Sequence, residues 1–142
     1  MNLTPHFTLK ELCYSRTAEK MHINNTPNGI QIQNLAFLAK NILEPLRQYA
    51  QQPIYINSGF RTPALNNAIG GARNSQHMKG EAADIRIPNI TRGQQLFAYI
   101  RDNLNYDQLI WEHNKYNNYW IHVSIKRNGK NRKQVIPNML KK

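Results

Sequence analysis

From Leu35 to Tyr49 apolar residues recur at spacings of three and four, and from Pro53 to Ser58 they alternate. The first pattern predicts a long amphipathic helix, carried by Leu35, Leu38, Ile42, Leu46 and Tyr49, and the second a strand. Pro45 falls inside the helix and should kink it, because it lacks the donor for one backbone hydrogen bond. The two periods recur downstream. Residues 81–87 (EAADIRI) read as a second strand, with Ala82, Asp84 and Arg86 on one face. Thr91 and Gln94 form a capping-box pattern ahead of a second helix striped by Leu96, Phe97, Ile100 and Leu104. Residues 107–112 and 119–125 then read as two strands joined by the polar turn HNKYNN. Upstream, Thr8 and Glu11 suit the cap of a short helix, and 23–30 (INNTPNGI) reads as a loop. A long Gly- and Asn-rich connection runs from Ser58 to about Gly80. The order of helix, strand, long loop, strand, helix and hairpin predicts an α+β fold: a small, mainly antiparallel sheet with helices packed on it.

A chain of 142 residues suits one domain, taken here as 1–142. Its 40% apolar and 19% charged residues exclude a disordered chain. One cysteine, Cys13, excludes an internal disulfide framework and a cysteine-rich zinc module. No run approaches the roughly 18 apolar residues of a membrane span, and MNLTPHFTLKEL lacks the layout of a secretory signal. The charge is lopsided. Of the net +11, residues 126–142 supply +7 with no acid, leaving +4 on residues 1–125. This basic C-terminal tail favours polyanionic partners, among them an anionic cell-wall polymer, unless it serves only solubility. Nucleic acid is disfavoured, since charge is the only feature that suggests it and no recognition motif is present.

The residues that suit chemistry cluster in SQHMKGEAAD, 75–84. His77 precedes Asp84 by seven positions, Gly80 allows a sharp turn between them, and Ala82 leaves room beside the aspartate. On the last strand of that hairpin Trp120, His122 and Ser124 share a face. Two neutral imidazoles and a carboxylate are zinc ligands, and three of them leave the fourth position open, as hydrolytic zinc sites require. Each residue alone has a plainer reading, a hydrogen-bonded interior histidine or a loop-ordering aspartate.

The combination is more specific. SGFRTP at 58–63, Leu65-Asn66, S-x-H-x-x-G-x-A-x-D at 75–84 and Trp-x-His-Val-Ser at 120–124 together resemble the zinc D-Ala-D-Ala carboxypeptidase family. Those enzymes are peptidoglycan peptidases and share a metal-binding α+β fold with hedgehog signalling domains. HFTLKEL and LEPLR (43–47) resemble a small branch of that family common in bacteria and phages, and the likeness covers about residues 6–125. It implies one Zn2+ ion held by His77, Asp84 and His122. It also implies that Arg61 steadies the scissile carbonyl or a substrate carboxylate, a task suited to a fixed planar guanidinium. Ser75 and Gln76 are candidates for substrate contact, with loop ordering the alternative for Ser75.

The sequence departs from the family at the general base. Its best-known members carry Glu or Asp three residues before the last ligand, where this chain has Tyr119. Among the remaining acids Glu112 reaches the metal's face if residue 112 pairs opposite residue 120, and a register slipped by one turns it away. Glu112 is therefore the expected base and His113 the reserve. The expected function is hydrolysis of stem peptides at the D-Ala–D-Ala or the L-Ala–D-Glu bond by a monomer. The expected location follows from the missing signal: synthesis in the cytoplasm and action at the wall after lysis or unconventional release. The alternative is a non-catalytic, zinc-containing wall-binding or assembly module.

Overall fold

The computed structural model describes residues 1–141. Strands β1 (Asn2–Thr4) and β2 (Phe7–Thr8) form a small hairpin, followed by the short helices α1 (Leu9–Cys13) and α2 (Arg16–Lys20). The expected capping box opens α1: Thr8 Oγ1 accepts the Glu11 N–H at 3.1 Å while Glu11 accepts the Thr8 N–H at 2.7 Å. The long helix has three parts, α3 (Gly29–Leu38), a π-helical turn (Ala39–Leu43) and α4 (Glu44–Ala50). Pro45 explains the middle part. With no N–H at residue 45, the ladder widens just before it, and the Glu44 N–H reaches back to the Ala39 carbonyl. Leu35, Leu38, Ile42 and Leu46 are fully buried, whereas Tyr49 stays near the surface and stacks on Tyr99 at 4.2 Å.

Strand β3 is shorter than the alternation suggested, Ile56–Ser58, and is followed by α5 (Pro63–Ala68) in what read as plain loop. Strand β4 (Ala82–Arg86) and helix α6 (Ile90–Asn103) come next. Asn89, not Thr91, caps α6, its Oδ1 accepting the Arg92 N–H at 2.8 Å. Strands β5 (Gln108–Asn114) and β6 (Tyr119–Ser124) form the expected hairpin. The basic stretch 126–142 is not a loose tail in its described part. Residues Gln134–Lys141 form an eight-residue strand, β7, while Lys142 lies outside the described residues.

The main sheet runs β3-β4-β6-β5-β7, antiparallel except for the parallel β5–β7 pair. Its two faces differ. Ala83, Ile85, Leu109, Ile121 and Val123 pack against the helices through Leu38, Ile42, Leu96 and Ile100, and all of these are almost wholly buried. Fully burying one such Leu or Ile side chain is worth about 1.5–3 kcal/mol. Because side chains alternate along a strand, the neighbours Asp84, Ile110, Glu112 and His122 fall on the opposite face, away from the helices.

Candidate active site

The loop before β4 is folded around His77. Ser75 caps a 3-10 turn over Gln76–Lys79, its Oγ accepting the His77 N–H at 3.1 Å. Gly80 ends that turn at φ +75°, where an added Cβ would also meet the Gln31 carbonyl oxygen at 2.7 Å. The turn delivers the His77 ring inward, where Nδ1 lies 2.7 Å from the Gly59 carbonyl oxygen. A carbonyl only accepts, so Nδ1 carries the proton and the Nε2 of the neutral ring is left with its lone pair. Gly59 suits this place because a Cβ there would collide with the Leu12 carbonyl oxygen.

His77 Nε2 faces Asp84 Oδ1 at 3.3 Å, and His122 Nδ1 lies 2.9 Å from the same oxygen. Asp84 and His122 are direct cross-strand partners on β4 and β6. One ligand atom from each of the three residues lies within 4.8 Å of the other two. A lone pair facing a carboxylate oxygen in a buried site is repulsive unless a cation stands between them. Two imidazoles and a carboxylate are a donor set that zinc takes, at about 2.0–2.2 Å, so these residues fit the metal that the sequence motif implies. The Asp84 carboxyl is held well below the usual carboxylate range. Burial raises it, but the two flanking imidazoles, His77 first, outweigh that effect in their cationic form, the charge that a bound metal ion would supply instead.

Arg61 stands beside the cluster and is fixed at three points. Nε donates to Ser58 Oγ at 2.9 Å, Nη1 to Asn66 Oδ1 at 3.1 Å, and Nη2 to Asp84 Oδ2 at 3.4 Å. Burial pulls the guanidinium below its ordinary pKa, while Asp84 and Glu112 favour its charge.

Residue 112 does pair opposite residue 120, and Ile110 opposite His122, so Glu112 lies on the His122 face. Its side chain is 2% exposed. Oε1 accepts the Trp120 indole N–H at 2.7 Å, and Oε2 lies 3.4 Å from Lys141 Nζ. His113, one residue on, falls on the other face and stacks on Tyr119 at 5.1 Å. The predicted residues Arg61, Ser75, Gln76, His77, Asp84, Glu112 and His122 all line one cleft of about 830 Å³, and His113 does not. Within it the Ser75 hydroxyl is occupied by the His77 N–H. Gln76 Nε2 donates to Glu81 Oε1 at 3.2 Å, and Gln76 Oε1 is buried without a partner.

Four contributors escaped the sequence reading: Ser58 and Asn66 holding Arg61, the Gly59 carbonyl holding His77, and Trp120 holding Glu112. The signals for Ser58 and Asn66 lay in the SGFRTP and Leu65-Asn66 pattern, which shows their presence but not the arginine they serve. A backbone carbonyl leaves no side-chain signal at all.

The Peptidase M15 profile matches residues 5–124, a span that contains every residue of the cluster together with Arg61 and Glu112. The chain belongs to the peptidase M15 family. Over a stretch of 34 residues it is also 53% identical to the zinc D-Ala-D-Ala carboxypeptidase of Streptomyces albus G. That stretch is 24% of this chain and 13% of that protein, so the likeness covers a small part of the longer enzyme. Family membership accords with the α+β architecture, and the M15 match ends at Ser124, before β7 begins.

Proposed function

We propose that this M15 protein is a zinc-dependent peptidase that hydrolyses peptidoglycan stem peptides. The observation that carries the reading is the convergence of His77 Nε2 and His122 Nδ1 on Asp84, with Arg61 and a buried carboxylate, Glu112, in the same cleft. One Zn2+ ion held by His77, Asp84 and His122 would supply a Lewis acid that activates water and polarises a peptide carbonyl. Glu112 is the general base: it takes the proton of the attacking water and hands it to the leaving amine. Arg61 presents a guanidinium already oriented by Ser58 and Asn66, so it meets developing negative charge, or a substrate carboxylate, without reorganising. Gln76 lines the cleft and is the candidate for substrate contact, and Ser75 orders the loop. Action at the wall after lysis or unconventional release fits this substrate, and the basic residues after 125 suit an anionic polymer.

The test is digestion of purified sacculi by the zinc-loaded protein, with the new peptide ends identified by mass spectrometry. Loss of a terminal D-Ala indicates carboxypeptidase action, and a new N-terminal D-Glu indicates endopeptidase action. Glu112→Gln should keep its zinc and lose about 10²–10⁴ in rate. A Glu112→Gln protein with the parental rate would remove Glu112 from the mechanism. Tyr119, standing where better-known relatives carry an acid, favours the alternative of a non-catalytic wall-binding module. A fully loaded parent that cuts no stem peptide would establish that alternative.

A further inference from the structure

Strand β7 lies beyond the part of the chain that the M15 match covers, yet Met139 and Lys141 help to line the active cleft. Its register explains how. Ile136 pairs with Ile110, but Met139 pairs with Glu112, so two residues of β7, Pro137 and Asn138, oppose Trp111 alone. This is a bulge, and its proline has no N–H to give to a ladder. Because side chains alternate, one extra residue reverses which positions share a face. Without the bulge, Asn138 and Leu140 would lie on the face of Glu112. With it, Met139 and Lys141 do. The strand is also tethered at its start. The Gln134 N–H donates to the Asp107 carbonyl at 2.9 Å, and Gln108 Nε2 donates to Gln134 Oε1 at 2.7 Å.

The consequence falls on Glu112. Trp120 holds one of its oxygens at 2.7 Å, and the contact to the other is Lys141 Nζ at 3.4 Å. The terminal torsion of a glutamate is broad and roughly two-fold. A single tether at Oε1 therefore leaves the carboxylate plane free to turn, and the second one fixes it.

We infer that β7 is a working element of the cleft, in which the bulge at Pro137 and Asn138 aims Lys141 at Glu112 and makes it a positioning residue for that carboxylate. The inference rests on the assignment of Glu112 as general base. Lys141 touches neither the reacting bond nor the metal ligands. It restricts Glu112 to the orientation from which the proton is taken, so its loss should lower kcat and leave KM nearly unchanged.

The experiment compares the zinc-loaded full chain with Lys141→Met and Lys141→Arg, using Glu112→Gln as the control, on one purified stem-peptide substrate. The Lys141 side chain is half exposed, so neither substitution opens the core. Lys141→Met should keep its zinc and melting temperature, lose about tenfold in kcat, and be rescued by Lys141→Arg. A second readout needs no turnover. The Trp120 indole N–H is bonded to Glu112, and its 15N–1H resonance should move in Lys141→Met and return toward the parental position in Lys141→Arg. A parental kcat with an unmoved indole signal in Lys141→Met overturns the inference, as does an equal loss in both Lys141 variants. If Lys141→Met is parental while Glu112→Gln is dead, the inference alone fails. An active Glu112→Gln overturns the base assignment and the positioning role with it.

Discussion

Asp84 and Asp107 are both buried aspartates in the main sheet region, both with carboxyls held below the ordinary range, and they serve opposite ends. At Asp107 burial raises the pKa, and Arg132 more than offsets it through side-chain and backbone hydrogen bonds and its charge. Arg132 N–H and Nε donate to Oδ1 at 2.9 and 3.0 Å, Nη2 donates to Oδ2 at 2.6 Å, and Lys126 stands 3.9 Å away. Its backbone is also used, N–H to the Ser124 carbonyl and C=O from the Gln134 N–H. Nothing at Asp107 is left to bind. At Asp84 the neighbours are two imidazoles aimed at one oxygen and a guanidinium 3.4 Å from the other, facing an open cleft. A depressed carboxyl does not by itself mark a site. What separates the two is whether the surrounding groups are exhausted by one another or converge with capacity to spare.

Crossed substitutions should break that pair apart most visibly. Asp84→Asn removes one of three ligands and should cost about 4 kcal/mol of zinc affinity, a third of the roughly 10–16 kcal/mol of a zinc site. Calorimetric titration measures it. Asp107→Asn should bind zinc as the parent does, and adding zinc should raise the melting temperature of the parent and Asp107→Asn but not of Asp84→Asn.

Removing the cation instead of the acid tests the closed site. Arg132→Ala leaves Asp107 buried without its main partner and should cost about 3 kcal/mol of stability. Arg132 is half exposed, so this is the low end of the range for breaking a buried pair. Urea denaturation reads the loss, and zinc affinity should not change.

Acid sharpens the contrast further. The folded-state pKa of Asp107 is lowered, so its stabilising contribution is complete above the unfolded value of about 3.9 and is lost as pH falls through the lower folded value. The parent should therefore lose stability more steeply than Asp107→Asn below about pH 4, in melting curves recorded without metal.

The smallest effect concerns the exposed charges before β7. Replacing Lys130 and Lys133 by Gln leaves the Arg132–Asp107 lock and β7 intact. Binding to sacculi should weaken by no more than about 1 kcal/mol at low salt and not at all at high salt, where surface charge is screened. Equal binding in a sedimentation assay at low salt would remove a wall-tethering role from these lysines.

The asymmetry between the two aspartates was only half legible in the sequence. His77, Gly80 and Asp84 lie within eight residues, and their roles follow from side-chain identity and local turn geometry, so the motif exposes them. The face shared by Glu112 and His122 depended on a register that alternation allows but does not choose. Asp107 read as the unremarkable start of a strand, because its partner Arg132 lies 25 residues on, in a stretch whose charge suggested a solvated tail. Strand β7 was hidden for a related reason. QVIPNMLK contains a proline and a bulge that breaks the alternation, and its parallel pairing with β5 is a contact between distant segments. The π-helical turn before Pro45 was legible as a kink but not in kind.

Whether His77, Asp84 and His122 hold zinc is read from X-ray absorption at the zinc edge of the stoichiometrically loaded parent. Two imidazole nitrogens and carboxylate oxygen are expected at about 2.0–2.2 Å, with the imidazole signal halved or the metal lost in His122→Ala. A first shell without imidazole, one containing sulfur from Cys13, or an unchanged spectrum in His122→Ala would contradict it.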